Sequence, residues 1–427
     1  MVKKKKSGAR KKPVIKKQVK ETKVPEATLE EIPEAEPEKK PEKKGKETAS
    51  NMDILIKDFE RKFGKYSIIR ASDFEDPFVV RRPTGILGLD LALCGGIPAS
   101  GLSELYGPES TGKTYLAFRI AREIQRIYAD EAKICYASFG NPIDKSLLHF
   151  TGVKVAFTKD ETEKFEQSCG HLLTTEEKIR MRLNIGEFLI LSNDDGQGER
   201  TLDMIIAMIA SGYFHLVIID EVGIHATEWR MKQDLTKGGK AGDSAFLMNQ
   251  FMRKYHGFMN RRVEGKIKMT STLVCTQVRT KIDMFGQASS NPGSEIPTGR
   301  GMQHGKLIDL HLFQGKQLKV SETDKESYGK MVHWRIAKAK TGVKEGSKGS
   351  YIHLKDRGAD IWDDALQIGL KLGLVKLNGA YYKILDSTKS YQGQERAKLS
   401  LMLDTELMNT LRKEAFRVSG VVMREKE

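Results

Sequence analysis

One run of eight residues constrains this chain more than any other: Gly107-Pro-Glu-Ser-Thr-Gly112-Lys113-Thr114. It follows the apolar run LSELY and opens TYLAFRIAREIQ, where apolar residues recur at helical spacing. A strand that turns through glycines into a helix aims several backbone N–H groups at one point. The helix N-terminus adds its positive end there. Gly107 and Gly112 permit the turn, and Pro108, Glu109, Ser110 and Thr111 form the loop between them. Lys113 is placed to reach the outer phosphates of a nucleotide, and the Thr114 hydroxyl offers a hard oxygen to Mg²⁺. ATP and Mg²⁺ are the cofactors this pattern implies.

The surroundings fit that loop. LSELYG, KICYAS, EFLILS, HLVIID and STLVCTQ read as short strands apolar on both faces, with helical patterns such as ERTLDMIIAMIAS between them. Such alternation predicts an α/β fold with a mostly parallel sheet covered on both sides. HLVIID ends in Asp220, at the strand end where such sheets bind ligands, so Asp220 joins Thr114 as a candidate Mg²⁺ ligand. Glu221 follows at once, within reach of a water near a terminal phosphate.

The rest of the chain bounds the organisation. Residues 1–50 combine a Lys/Arg block (Lys3 to Lys6, Arg10 to Lys12) with PEAEPEKKPEKK, a composition too poor in core-forming side chains to offset its ordering entropy. They read as a disordered tail, either a solvating spacer, a loose nucleic-acid contact or a nuclear or organellar address. Residues 51–80 carry a helix from about Met52 to Phe63, ended by Gly64, and a linker; 81–325 form the main domain; 326–427 form a smaller mixed domain containing GAYYKI and DTELMNTLRKEAFR. The formal net charge of +15 favours a polyanionic partner, nucleic acid before an acidic membrane surface. No apolar run is long enough to span a membrane. Cys94, Cys135, Cys169 and Cys275 are scattered without a CxxC or Cys/His cluster, which argues against structural zinc and for a reducing compartment.

Beyond these readings, the sequence resembles the RecA family of recombinases. The likeness rests on GPESTGKT with FGKYSIIR and TGILGLDLALCGGIPASGLSELYGPES, then on CTQVRTKIDMFG, TGRGMQHGKLIDLHL and WRIAKAKTGV, and finally on LVKLNGAYYKI and YQGQERAKLSLML. These segments occur in order over about 52–415, leaving the tail outside. The resemblance implies a RecA-type P-loop ATPase core, an N-terminal polymerisation helix and a small α+β C-terminal domain. It implies a helical homo-oligomeric filament on single-stranded DNA, pairing with double-stranded DNA, ATP at subunit junctions, and a cytoplasmic setting, nucleoid-associated or in the host cytoplasm if phage-encoded. By the same resemblance, Gln277 senses the γ-phosphate and begins a second DNA loop over about 278–298 with Arg279 and Lys281 at its base. A first DNA loop covers Gln233 to Ser244, with Lys237, Gly238, Gly239 and Lys240. Arg300 departs from the family's pattern, replacing a small residue after the second loop, and offers an extra phosphate contact; the resemblance places Asp144 near the adenine with Leu147 in place of an aromatic residue, and Lys338 and Lys340 within reach of the neighbour's ATP. Without the resemblance those two lysines would read as solvated.

One departure matters. Where relatives carry a glutamate that orients the attacking water, this chain has Gly140, inside SFGNPID. Either Glu221 has taken over that role, or the protein is a hydrolysis-deficient filament scaffold that binds ATP and DNA without efficient turnover. A hexameric helicase or clock-type ATPase shares the P-loop but lacks this C-terminal domain and the lysine pair. A small-molecule kinase finds no acceptor-binding signature.

Overall fold

The computed structural model describes residues 51–73, 76, 78–140, 142–169, 172–191, 198–221, 243–259, 262–263, 266–267, 269–278, 299–321 and 326–424. The chain divides into two compact units, Met1–Asp58 and Phe59–Glu427. The helix α1, Asn51–Phe63, runs across the division, one residue longer at its start than its periodicity predicts. In the second unit, Phe59 and Phe63 lie on one side of it with ring centroids 5.6 Å apart, and both stay exposed. The tail assigned to residues 1–50 lies outside the described residues.

The second unit is organised by a nine-stranded sheet. Its strands are β1 (Gly101–Gly107), β2 (Lys133–Ser138), β3 (Glu187–Leu191), β4 (Leu216–Asp220), β5 (Ser271–Gln277), β6 (Ile308–Leu318), β7 (Gly329–Ala339), β8 (Lys348–Leu354) and β9 (Gly358–Ala359). The order across the sheet is β9-β8-β7-β6-β1-β5-β4-β2-β3. From β6 to β3 neighbours run parallel; β7, β8 and β9 extend the sheet antiparallel. Successive side chains alternate between two cores. Leu216 and Ile218 of β4 face one core and Val217 and Ile219 the other; Ile134 and Tyr136 of β2 oppose Cys135 and Ala137 in the same way. The first core is closed by α2 (Lys113–Tyr128), through Leu116, Phe118, Ile120 and Ile124. The second is closed by α4 (Gly198–Ser211) and α5 (Asp243–Met259). Burial on both faces explains the unbroken apolar runs, each such side chain contributing about 1.5–3 kcal/mol.

Two features differ from the sequence reading. EFLIL is not buried on both sides, because β3 is the edge strand: Leu189 and Ile190 remain 43% and 48% exposed. The central sheet also continues to Ala359, so three of its strands lie in the segment 326–427 that the sequence assigns to a smaller domain. The reason is pairing. β7 takes its partner β6 from the main domain through a register running from Ile308/Ala339 to Leu318/Gly329, and composition alone does not reveal antiparallel pairing across that join. A separate core begins with α7 (Ile361–Lys371) and includes a three-stranded sheet, Val375–Asn378, Tyr381–Ile384 and Tyr391–Gln392. The helices α8 (Gln394–Leu403) and α9 (Thr405–Val418) complete it. Asp360 and Asp404 start α7 and α9 by accepting the N–H groups of Asp363 and Leu407, each cap contributing about 1 kcal/mol.

Candidate nucleotide-binding site

The carboxyl ends of β1, β5, β4 and β2 meet along one edge of the sheet, and a cavity of about 760 Å³ opens there. It is lined by Glu109, Ser110, Gly112, Lys113, Thr114, Tyr115, Phe139, Gly140, Asp220, Glu221, Cys275 and Gln277. The loop between β1 and α2 owes its path to special backbone. Gly112 takes φ +92°, and Ser110 takes φ +57°, a left-handed conformation uncommon for a residue with a side chain. At Gly107 a β-carbon would press into the backbone carbonyl of Leu312 on β6, so only glycine lets the loop leave the sheet here. Thr111 Oγ1 closes the turn by donating to the Pro108 carbonyl at 2.9 Å.

Lys113 is folded over this loop, its Nζ donating to the carbonyls of Gly107 at 3.0 Å and Pro108 at 2.7 Å. Burial holds its ammonium below the ordinary value, although Cys275, Asp220 and Glu109 counteract it. A cation that satisfies itself on loop carbonyls is poised to exchange them for phosphate oxygens. Thr114 Oγ1 donates to Asp220 Oδ2 at 2.7 Å, and the Tyr136 hydroxyl reaches the same oxygen at 3.2 Å. Burial raises the Asp220 pKa, opposed by the Thr114 hydroxyl and the Glu221 backbone N–H. A hydroxyl and a carboxylate side by side at the helix N-terminus are the hard oxygen donors Mg²⁺ takes, so these residues fit a magnesium nucleotide.

Glu221 and Gln277 complete the far wall. Glu221 sits at φ +55°, a left-handed turn costing about 1–3 kcal/mol for a residue with a side chain, and its N–H donates to Asp220 Oδ1 at 2.9 Å. Gln277 Nε2 points to Glu221 Oε1 at 3.4 Å. The structure thus brings together every residue of Glu109 to Thr114 except Thr111 as cavity lining, with Asp220, Glu221 and Gln277 opposite.

A family model for the RecA N-terminal domain matches residues 50–156 and 156–346. This chain belongs to the RecA family. Protein RecA of Oceanobacillus iheyensis is 26% identical over 368 residues, which cover 84% of this chain and 89% of the relative. Protein RecA of Acholeplasma laidlawii is 28% identical over 365 residues, 85% of this chain and 94% of the relative. The solved structure of the RadB recombinase aligns with 65% of this chain and 98% of its own at a TM-score of 0.39 and 15% identity. Membership makes the chain a P-loop protein of DNA recombination and repair that binds ATP and DNA.

Other RecA-like positions fall away from the cavity. Asp144 is the N-cap of α3 (Lys145–Thr151), its Oδ1 accepting the Ser146 N–H at 2.8 Å, and it borders a separate depression with Leu147, Lys355 and Arg357. Lys338 is the last but one residue of β7, and Lys340 directly follows the strand. Their ammonium groups donate to the carbonyls of Gln303 and His304, in the last turn of α6 (Gly299–Gly305). Arg300 belongs to the backbone of α6. Lys237, Gly238, Gly239, Lys240, Arg279 and Lys281 lie outside the described residues. The sequence reading missed Tyr115, whose hydroxyl accepts the Ala359 N–H at 2.7 Å and whose ring lies 4.5 Å from His353. It also missed Lys330, which donates to the Ser110 carbonyl. Tyr115 could have been found from its place directly after Thr114; Lys330 depends on the antiparallel strands and carries no local signal.

Among the described residues, no helix is long and apolar enough to cross a membrane.

Proposed function

We propose that this protein is an ATP-dependent recombinase that polymerises as a helical filament on single-stranded DNA, pairs it with homologous double-stranded DNA and exchanges strands. The observation that carries the reading is the cavity in which Lys113, the Thr114–Asp220 pair and Gln277 converge in a RecA-family chain. Gln277 is the last residue of β5, so the segment assigned to the second DNA loop starts at the cavity wall. A nucleotide held there is linked by one strand end to the DNA-binding segment, which is how ATP would control the grip on DNA.

In this reading Gly107 to Thr114 cradle the phosphates, and Thr114 and Asp220 hold Mg²⁺, which neutralises phosphate charge when bound. Lys338 and Lys340 act across the subunit junction on a neighbour's ATP, in the manner of a cation supplied in trans. Lys237, Gly238, Gly239, Lys240, Arg279, Lys281 and Arg300 contact the DNA backbone, and base pairing between strands supplies sequence specificity. The net charge of +15 and the exposed Phe59 and Phe63 on α1 support a polyanionic partner and a docking surface for a second copy. The expected setting is the cytoplasm, with the nucleoid, or a host's cytoplasm for a phage-encoded chain.

The test is a strand-exchange assay between a circular single strand and a homologous linear duplex, run with ATP and with a non-hydrolysable analogue, beside electron micrographs. Joint molecules and helical filaments are expected. Protein that neither polymerises nor retains single-stranded DNA with magnesium and nucleotide refutes the proposal. A filament that binds ATP without turning it over is the second reading, and Gly140 is the residue that favours it.

A further inference from the structure

The strands β2 and β4 are parallel neighbours, with Ser138 beside Asp220 and the Phe139 N–H donating to the Asp220 carbonyl at 3.2 Å. The residues that follow, Gly140 and Glu221, therefore leave the sheet side by side at the cavity. Their packing is specific. A β-carbon on Gly140 would fall 2.5 Å from the Glu221 carboxyl carbon and closer still to Oε2. The carboxylate of Glu221 thus fills the space in which any side chain at 140 would begin. Gly140 has no left-handed backbone, so conformation does not demand a glycine there; a side chain at 140 would instead push the Glu221 carboxylate out of the position it takes. The left-handed turn at Glu221, fixed by its N–H on Asp220 Oδ1, swings the side chain across to the β2 end, and Gln277 meets Oε1 from β5.

Three acids line the cavity. Asp220 accepts the Thr114 hydroxyl, Glu109 is an exposed residue of the phosphate loop, and Glu221 meets Gln277 at the ends of β4 and β5. We propose that Glu221 is the catalytic carboxylate of ATP hydrolysis, delivered from the end of β4, and that Gly140 is the vacancy that admits it. Glu221 accepts a hydrogen bond from the attacking water and holds it in line with the γ-phosphate. The water oxygen bonds to the γ-phosphorus, and the bond to the β–γ bridging oxygen breaks with its electron pair leaving on ADP. The water's proton passes to the Glu221 carboxylate and from there to solvent, so that ATP and water become ADP, phosphate and a proton. The inference rests on the proposed recombinase reading and names the group that makes it a turnover enzyme instead of a static scaffold.

The experiment compares full-length wild type, Glu221→Gln and Gly140→Ala. Three quantities are read: phosphate release stimulated by single-stranded DNA, affinity for an N-methylanthraniloyl ATP analogue with magnesium, and melting temperature. Glu221→Gln keeps the shape of the side chain and is expected to lower phosphate release about 10²–10⁴-fold, with analogue affinity within about threefold of wild type. Gly140→Ala, whose methyl group displaces the carboxylate, is expected to lower release at least about tenfold with affinity likewise retained. Release by Glu221→Gln within threefold of wild type overturns the proposal. So does a parallel loss of affinity or melting temperature, which would make Glu221 structural, and so does wild-type release by Gly140→Ala. Wild type that binds nucleotide and DNA but releases no phosphate also overturns it, while leaving the filament reading intact. Wild type that binds neither ligand defeats the recombinase reading itself.

Discussion

Consider Lys306→Met. Lys306 precedes β6 and is 1% exposed; its ammonium lies 2.5 Å from Glu104 Oε2 on β1 and 2.6 Å from Asp309 Oδ2. Glu104 is wholly buried and also accepts the Thr276 hydroxyl at 2.7 Å, so the network joins β1, β5 and β6 three residues before Gly107. Burial alone would lower the Lys306 pKa, but the two carboxylates outweigh it and hold it above its ordinary value. Burial lifts Asp309 to about 6 even with Lys306 beside it. Methionine matches the stem but removes the charge, leaving two buried carboxylates facing each other. Breaking a buried ion pair from one side costs about 3–5 kcal/mol. Spread over roughly 310 described residues with an unfolding entropy of about 0.65 kcal/mol per kelvin, that is a fall in melting temperature of about 5–8 °C. Differential scanning fluorimetry at pH 7.5 measures it. Adding Glu104→Gln and Asp309→Asn to the same chain removes the stranded charges and should recover at least half of the loss. A Lys306→Met protein that melts within about 1 °C of wild type would refute this account of the core.

Three further outcomes are expected. Asp220→Asn keeps an acceptor for Thr114 but loses the charge; the magnesium needed for half-maximal binding of the fluorescent ATP analogue should rise about 10–100-fold, and an unchanged midpoint would contradict its assignment to the metal. Tyr115→Phe strands the buried Ala359 N–H and should cost about 1–3 kcal/mol in urea denaturation; no loss would mean that water replaces the hydroxyl. His215 accepts the Lys133 N–H on Nδ1 and packs against Tyr128 with ring centroids 3.9 Å apart and planes tilted by 34°, and burial, with Arg82 and Lys133 nearby, lowers its pKa to about 4. The folded protein therefore binds fewer protons than the unfolded chain between about pH 6.5 and 4. The stability this contributes is present above 6.5 and lost as pH falls through 4. Between pH 7.5 and 5.5, His215→Asn should lose less melting temperature than wild type, and equal losses would show that the ring does not titrate on unfolding.

Much of this architecture is legible in the residues. KICYAS and STLVCTQ are strands at the predicted positions, because their alternation of faces and their β-branched or apolar content leave few other folds open. The P-loop strand and helix announce themselves through Gly107, Gly112 and Lys113, whose spacing is dictated by a phosphate. Asp220 and Glu221 were readable as strand-end residues and Gln277 through the family resemblance, and the three line one cavity. Distance in sequence hid the rest. Nothing local at Gly140 reveals that a carboxylate 81 positions later occupies its space, since that depends on β2 and β4 being neighbours in register. The extension of the sheet to Ala359 was hidden for the same reason. The charged residues in β7, such as Lys330 and Arg335, mask a strand whose buried positions are only Gly329, Val332, Trp334 and Ile336. Asp144 is ambiguous by chemistry: one carboxylate serves equally as helix cap and as ligand group.

The parking of Lys338 and Lys340 on α6 has a consequence for assembly. A helix end gathers partial negative charge, and both ammonium groups are spent there within the same protomer. To serve a neighbour's nucleotide, each must surrender a carbonyl oxygen before gaining a phosphate oxygen. In the proposed filament, α6, which directly follows the segment assigned to DNA, would hold both lysines until a neighbour's nucleotide draws them away.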